Sequence, residues 1–517
     1  MEFKTWCASV YSRITLTRFT TLFFVFSLLH CLTQGIIQSF LFSIDHDQRS
    51  FLNAVVSAGT IPAQNTTFLE GDSGSLHLQI CSDIPYGHQA TYPCTTVFNS
   101  TIDANSNNQS TRVFDWHSSP SVTVSPVIDS KGNVILQSSA PGAIFLSRQC
   151  VQTLVHPQQR LTNFQREDIT FVALQFWLFG ISVFAVANDS VPHILSVVIT
   201  RILVTAWSIY AVWRAKYDEA TFTELLASPG TPCSLDVFTP YFAKRLPIQI
   251  ADMVLTVVAL FIAVYLSLIL LRTYSSQAFK CVGAPPHIQR INKFFLALLA
   301  CLQLEVFILV AGMSMWIDVL LNTAIAKISV HTPEYIAVFI TSAVLLLPWI
   351  IMGWYAIKRE KKVFTIAFLV IGLIFIIGWS VMFYSIVYRW YVAPSSPVTF
   401  TQWPFLGCFT VSSLVLLTAS MLLGGICRLN FGKGHAEYLY AEATLASQNF
   451  TKEVFTHNEK EEPFDLIEPG KVYYVQTRET SSDADAASPM DVRAYLPQLS
   501  KSAAPFDSVQ MPERSYV

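Results

Sequence analysis

Three ionisable residues lie inside long apolar stretches of the sequence, where a charge is costly. Glu305 lies in "CLQLEVFILV" (301–310), Arg201 in the stretch 192–213 and Asp252 in the stretch 248–271. In lipid, such a side chain costs about 3 kcal/mol on insertion scales and usually faces a partner or water. Ion pairing, proton transfer and ligand passage are the chemistries that these residue types predict.

Depth along the helices predicts which of the three meet. Arg201 is nine residues and Glu305 eleven residues into stretches that start on the predicted cytosolic side. These offsets place them at depths of about 14 and 16 Å. We expect an ion pair, either as a switch or path or as a static pair, unless Glu305 is protonated. Asp252, a membrane-embedded acid, lies about 6 Å from the outer end of its stretch.

The motifs of common enzymes are absent from the sequence. "GDSGS" (71–75) has the letters of a serine-protease nucleophile motif. No matching His motif precedes it and the region is too short for such an enzyme, so a turn is favoured. The chain has no HExxH, GxSxG or Walker motif and no metal-spaced His and carboxylate cluster. We expect no enzymatic activity, no cofactor and no metal.

Composition indicates that the elements holding these residues are membrane helices. The 517 residues are 52% hydrophobic and only 13% charged, with a net charge of −2, whereas soluble domains are about 25% charged. This charge does not suggest a nucleic-acid partner; the lipid bilayer is the predicted one. Eight apolar stretches approach the length of about 20 residues that a bilayer requires: 19–42, 169–187, 192–213, 248–271, 294–316, 334–357, 363–388 and 403–427.

The distribution of basic residues predicts the orientation. Lys and Arg cluster before the first stretch, in 272–293, in "KREKK" (358–362) and after the last stretch, as cytosolic segments do. Arg214 and Arg245 then lie outside the membrane. The segment 44–166 is luminal or extracellular, which opens the sequons at Asn65, Asn99 and Asn108 to glycosylation.

The predicted fold is a mostly α membrane protein: a seven-transmembrane helical bundle plus an N-terminal anchor helix, with a small β-rich luminal or extracellular domain. The first stretch could instead be a cleaved signal peptide, although it is longer than the usual h-region. The predicted regions are a cytosolic N-tail (1–18), the anchor (19–43), a glycosylated β-rich ectodomain (44–166), the seven-helix domain (167–427) and a disordered cytosolic tail (428–517).

Patterns in the ectodomain predict strands and disulfides. "SLHLQIC" (75–81) alternates as a half-buried strand does, and "VTVSPVIDSKGNVILQ" predicts a hairpin. Cys81, Cys94, Cys150 and Cys233 form an even set on the oxidising side, which allows three pairings. We favour Cys81–Cys94 with Cys150–Cys233.

Two further features bear on movement and sorting. Pro348 is predicted to kink the sixth stretch. In the tail, Glu462, Leu466 and Ile467 fit an acidic dileucine signal, which would contact a clathrin adaptor.

The layout resembles Wntless and GOLD-domain seven-transmembrane proteins, a resemblance that implies cargo escort through the secretory pathway. "TPCSLDVFTPYF" (231–242), "LLPWIIMGW" (346–354), "REKK" (359–362), "TQWPF" (401–405) and "CRLNFGKG" (427–434) resemble an uncharacterised basidiomycete family of multi-pass proteins. Some fungal membrane proteins of that general kind support secretion of effectors and growth in a plant host, and the resemblance therefore implies effector secretion and virulence as one alternative role.

The favoured function is a receptor or sensor at the cell surface that binds an extracellular ligand. The first alternative is a trafficking factor for secreted cargo in Golgi or endosomal membranes, and the second is a transporter. No internal repeat supports the transporter, and rhodopsin-like receptor motifs are absent from the sequence.

Overall fold

Eight membrane-length helices dominate the protein. The computed structural model describes residues 10–62, 65–71, 74–82, 93–100, 112–116, 122–127, 132–138, 143–228, 230–278, 285–323, 332–384, 403–436 and 439. Within this part, eight helices are long and apolar enough to cross a bilayer: α1 (Arg18–Ala58), α2 (Arg148–Ala187), α3 (Val191–Phe222), α4 (Thr239–Ala278), α5 (Pro286–Asn322), α6 (Thr332–Lys358), α7 (Lys362–Tyr384) and α8 (Pro404–Leu429). The chain is therefore a mostly α, multi-pass membrane protein, as predicted.

Helices α1 and α2 extend well beyond the apolar stretches that predict them. Helix α1 starts at a capping box in which Thr17 and Thr20 exchange hydrogen bonds, and it continues past residue 42 to Ala58. Helix α2 begins at Arg148, after the N-cap Ser147. Both extensions bury one face against strands and helices, so their other positions can be polar. A search for apolar stretches of bilayer length therefore does not detect these extensions.

Small sheets pack against the extended ends of α1 and α2, which also contact each other directly. Strands β1 (Thr66–Glu70), β2 (His77–Cys81) and β3 (Cys94–Asn99) form one antiparallel sheet. Strands β5 (Val122–Pro126), β6 (Val134–Ser138) and β7 (Ile144–Leu146) form another. The predicted hairpin is confirmed as β5–β6. Strand β4 (Arg112–Val113) pairs in parallel with β8 (Leu235–Asp236) of the α3–α4 loop. We call the end of the bundle that carries these sheets the sheet side.

The sheets and the helix ends share one hydrophobic core. It contains Leu78 and Leu136 from strands, Leu52 from α1, Leu154 from α2 and Phe238 from the loop before α4. Two disulfides reinforce it and have the favoured pairing: Cys81–Cys94 joins β2 to β3, and Cys150–Cys233 joins α2 to the α3–α4 loop. The sheets and the helical bundle are therefore packed together rather than linked only by chain.

A second core holds α5 to α8 together. Trp349 of α6 stacks on Phe368 of α7 at a centroid distance of 4.7 Å, and its indole N–H donates to the Phe368 carbonyl at 2.9 Å. Helix α6 runs through Pro348 from Thr332 to Lys358. The predicted kink at Pro348 stays a prediction.

Candidate functional site

A cluster of ionisable side chains is buried where α1, α2, α3 and α4 meet. Its first pair joins Asp45 of α1, which is fully buried, to Arg245 of α4. The Arg245 Nε–H donates to Asp45 Oδ1 at 2.8 Å and Nη2–H donates to Oδ2 at 3.1 Å. The hydroxyl of Tyr241 also donates to Asp45 Oδ1 at 2.7 Å, and Arg245 donates further to Gln249. Both oxygen atoms of the Asp45 carboxylate thus accept hydrogen bonds from a charged or phenolic donor.

The second pair joins Glu167 of α2 to Arg214 of α3. Two N–H groups of Arg214 donate to the two Glu167 oxygens at 2.9 and 2.7 Å, a bidentate arrangement. The indole N–H of Trp403, at the start of α8, donates to Glu167 Oε1 at 3.0 Å. The guanidinium groups of Arg214 and Arg245 lie over the same ring, Phe164, at 4.7 and 4.9 Å from its centroid. Phe164 therefore connects the two pairs.

Two carboxyl groups of the cluster have no such cation. Asp252 of α4 accepts hydrogen bonds from neutral donors: Gln34, Gln38 at 2.8 Å and Ser208 at 2.8 Å. Asp168 of α2 lies within electrostatic range of both ion pairs, and its Oδ2 is buried without a hydrogen-bond partner. The cluster thus holds four carboxyl groups and two guanidinium groups.

A small internal cavity of about 30 Å³ lies among these groups, lined by Asp168, Asp252, Arg214, Arg245 and Gln34 among others. Such a volume is enough for a water molecule beside polar groups. The Oε1 atom of Gln34 is a further buried oxygen without a partner. The site can therefore hold one water molecule beside Asp168 and Asp252.

A polar cleft of about 270 Å³ lies above the cluster on the sheet side. Its walls come from α1, β1, α2 and the end of α5, and they include Arg49, Arg160, Arg166 and His156. No acidic residue is among its described lining residues. Arg160 and Arg166 pair with Asp218 and Asp318 outside the lining; Arg49 donates to the Gln165 amide at 2.6 Å, and its Nε is buried without a partner.

Consecutive residues of α2 connect the cleft to the cluster. Arg166 lines the cleft, whereas the next two residues, Glu167 and Asp168, line the internal cavity. The cleft and the cluster are therefore adjacent along α2.

The predicted ion pair between Arg201 and Glu305 is wrong. Arg201 donates to His30 Nδ1 of α1 at 3.2 Å and lies 5.1 Å from the Phe26 ring centroid. Glu305 instead accepts a hydrogen bond of 2.6 Å from Ser420 of α8, and its Oε2 has no partner. Equal depth does not make two residues face each other, because the two helices turn these side chains toward different neighbours.

The other predicted site residues have mixed outcomes. Asp252 is buried, as expected of a membrane-embedded acid, and it belongs to the cluster, where it lines the internal cavity together with Arg245. Asn65 lies just before β1 and Asn99 ends β3, both on the sheet side. Asn108 and the sorting residues Glu462, Leu466 and Ile467 lie outside the described residues. Glycosylation and sorting stay predictions.

Sequence reasoning missed most of the cluster because it assigned Asp45, Glu167, Arg214 and Arg245 to segments outside the membrane helices. One signal was present in α1. Its buried residues follow a spacing of four, three, four and three, typical of one helix face: Gln34, Gln38, Leu41, Asp45 and Gln48. A polar face of this kind inside and beyond an apolar stretch predicts a buried polar network.

Comparisons with known proteins add no relative. No protein-family model, curated protein or solved structure matches the chain. Among the described residues, no group of three or more His, Cys, Asp or Glu side chains is arranged to hold a metal ion. The function is therefore inferred from the geometry of the cleft and the cluster.

Proposed function

We propose that this chain is a non-enzymatic membrane receptor or sensor that binds a small anionic ligand in the polar cleft. The observation that carries the proposal is the charge of the cleft, where three arginines and no described acid line about 270 Å³. Arginine N–H groups suit carboxylate, sulfate and phosphate oxygens. The volume is close to the lower end of the range of small-molecule sites, about 300 to 1,000 Å³.

Transmission to the bundle would use α2. A ligand that draws Arg49 and Arg166 toward itself changes their bonds to Gln165 and Asp318, next to the Glu167–Arg214 pair. At the opposite end, Glu360 in the basic α6–α7 loop accepts hydrogen bonds from the backbone N–H groups of Gly432 and Ala436, at 3.0 and 3.1 Å. This junction is a suitable output surface for a cytosolic partner.

The test is a ligand screen on the full chain in lipid nanodiscs. Thermal stability is measured against a panel of small carboxylates, sulfates and phosphates, with wild type, Arg49→Gln and the control Arg112→Gln. Arg112 is an exposed arginine of β4 outside the cleft. We expect a stabilising anion for wild type and R112Q whose effect is lost in R49Q. Equal responses of all three proteins would contradict the assignment of the cleft.

Signalling is tested separately from binding. Once the screen has identified a ligand, hydrogen exchange of the 358–362 loop is measured in the presence and in the absence of that ligand. A change there supports a receptor, because the ligand has altered the far end of the bundle. No change, together with ligand accumulation inside proteoliposomes, supports the transporter instead. The carboxyl groups of Asp168, whose Oδ2 has no hydrogen-bond partner, and of Asp252, which accepts only from neutral donors, lie beside the internal cavity and favour that second candidate.

Imaging separates a surface receptor from a trafficking factor. A C-terminally tagged chain is compared with a variant in which Leu466 and Ile467 are changed to Ala. Wild type at the plasma membrane, unmoved by the change, supports the receptor. Wild type in Golgi or endosomes that shifts to the surface in the variant supports the trafficking factor.

A further inference from the structure

A lateral groove in the bundle is not used by the proposed function. It has a volume of about 780 Å³ and lies between α2, α3, α5 and α8. Its walls are mainly aromatic and aliphatic, with Trp177, Trp207, Phe307 and Phe405 among them. Leu203, on the rim, is half exposed. Since these helices are apolar enough to span a bilayer, the groove opens toward lipid rather than toward water.

Polarity changes along the groove from one end to the other. The end nearer the sheets carries Arg160, Arg214, Tyr210 and Tyr217. The opposite end, farther from the sheets and called the deep end, is formed by side chains such as Leu174, Leu203, Leu304 and Phe307. A ligand that fits this gradient has a polar, anionic head and an apolar tail.

The length of the groove corresponds to one lipid leaflet. Along α3, its lining runs from Thr200 to Tyr217. Seventeen steps of a helix that rises about 1.5 Å per residue span about 25 Å. A bilayer with its headgroups is about 40 to 45 Å thick, so one leaflet is about 21 Å. A lipid lying parallel to α3 would therefore reach from the arginines to the deep end.

Arginine positions favour a phosphate at the head. Arg160 lines both this groove and the polar cleft, so it lies at the level where the bundle meets the ectodomain. Asp218 and Glu167, the carboxylate partners of Arg160 and Arg214, are not among the residues that line the groove. Both arginines therefore line the groove, and no acidic residue is among its described lining residues. Trp213 and Tyr217, both on the rim, are residues enriched at membrane interfaces.

We propose that the groove binds one phospholipid of the sheet-side leaflet, with its phosphate at Arg160 and Arg214 and one acyl chain along α3. Because Arg214 also holds Glu167, the bound lipid contacts the buried cluster from its outer side. The inference does not rest on the proposed function: Arg160 lines both sites, whereas Arg214 and the apolar walls belong to the groove and not to the cleft.

The experiment uses the full chain in phosphatidylcholine nanodiscs that contain a photoactivatable phosphatidic acid with a diazirine in its acyl chain. After irradiation and proteolysis, mass spectrometry locates the labelled residues. The blocking variant is Ala206→Trp, because Ala206 lines the groove with an exposed side chain. The matched control is Val258→Trp on the exposed face of α4, outside the groove.

In wild type, we expect labels to concentrate at the deep end of the groove, on Leu203, Leu304 and Phe307. Labelling there should exceed the labelling of exposed α4 residues such as Phe261. A206W should reduce the groove labels to the α4 level, whereas V258W should leave them unchanged. Arg160→Gln should remove the preference for phosphatidic acid over a neutral diacylglycerol probe. Groove labels equal to those on α4 in wild type, or unchanged in A206W, would overturn the proposal, as would cross-links from the groove to a second copy of the chain.

Discussion

At the residue scale, the Glu167–Arg214 pair is the strongest candidate for a buried ionic contact that the structure depends on. Both side chains are about 95% buried, at 4% and 5% exposure, and their two hydrogen bonds are short. Removing one partner leaves an uncompensated charge in a medium that solvates it poorly. We expect Glu167→Gln to reduce the free energy of unfolding by about 3 to 5 kcal/mol, measured by denaturant titration in mixed micelles.

Two controls separate charge from packing in that experiment. The double variant Glu167→Gln with Arg214→Gln removes both charges, and it should be more stable than E167Q alone. Asp189→Asn breaks the more exposed Arg13–Asp189 pair, and it should cost less than about 1 kcal/mol. A cost for E167Q as small as that for D189N would mean that the pair is not buried as described.

Glu305 and Arg201 should behave as independent sites. Because they bind Ser420 and His30 respectively, the cost of Glu305→Gln and the cost of Arg201→Gln should add to within about 0.5 kcal/mol. The same titration, carried out on both single variants and on the double variant, gives the coupling. A coupling well above that value would restore the ion pair that depth alone suggests. Glu305→Gln with Ser420→Ala is the positive control, since those residues are in contact.

Predictions for single residues succeeded where one property, such as cysteine number or depth in the membrane, decides the outcome. They failed where the direction in which the helix face points also matters. Cysteine number and the oxidising side leave few pairings, and the favoured one is present in the structure. Hydropathy reveals that Asp252 is embedded, since depth alone decides that. The partner of Arg201 also depends on which way the helix faces, and no apolar pattern around Arg201 fixes that direction.

At the element scale, the contact between α6 and α7 depends on a glycine. A Cβ atom on Gly353 would clash with the ring carbons of Phe368. That ring is fully buried and stacked on Trp349, so it cannot move away cheaply. We expect Gly353→Ala to destabilise the bundle by about 1 to 3 kcal/mol, as overpacking does, in thermal unfolding followed by tryptophan fluorescence.

The matched control is Gly378→Ala in α7, where a Cβ atom would have no neighbour within 4 Å. Replacing a glycine by alanine in an open helical position gains about 1 kcal/mol. G378A should therefore be neutral or stabilising. If both alanines had the same effect, helix propensity rather than the Phe368 contact would explain it.

Element positions were largely predictable because eight apolar stretches of bilayer length have few alternatives. The β5–β6 hairpin was predictable for a similar reason, since two alternating runs flank a turn-forming segment. The extensions of α1 and α2 were not. Their burial depends on sheets and a shared core that form only in the folded chain, so residues such as Asp45 looked like loop residues.

At the scale of the whole molecule, the long helices define two opposite faces. Helix α2 has 40 residues and is therefore about 60 Å long, more than the 40 to 45 Å or so of a bilayer with its headgroups. Its two ends must lie on opposite sides of the membrane. The sheets and Asn65 are at its first end, where Gln159 donates to the Asn65 carbonyl at 3.0 Å. Asn188, which begins the sequon Asn188-Asp189-Ser190, caps the other end of α2.

This geometry makes a strict prediction about glycosylation. Oligosaccharide transfer occurs on one side of the membrane only, so Asn65 and Asn188 cannot both be modified in one orientation. The distribution of Lys and Arg predicts that the sheets lie outside. A variant that retains only the Asn65 sequon should therefore migrate faster on a gel after glycosidase treatment, whereas a variant that retains only the Asn188 sequon should not change. Modification of Asn188 instead would invert the orientation. The cleft would then face the cytosol, and its anionic ligand would have to be an intracellular one.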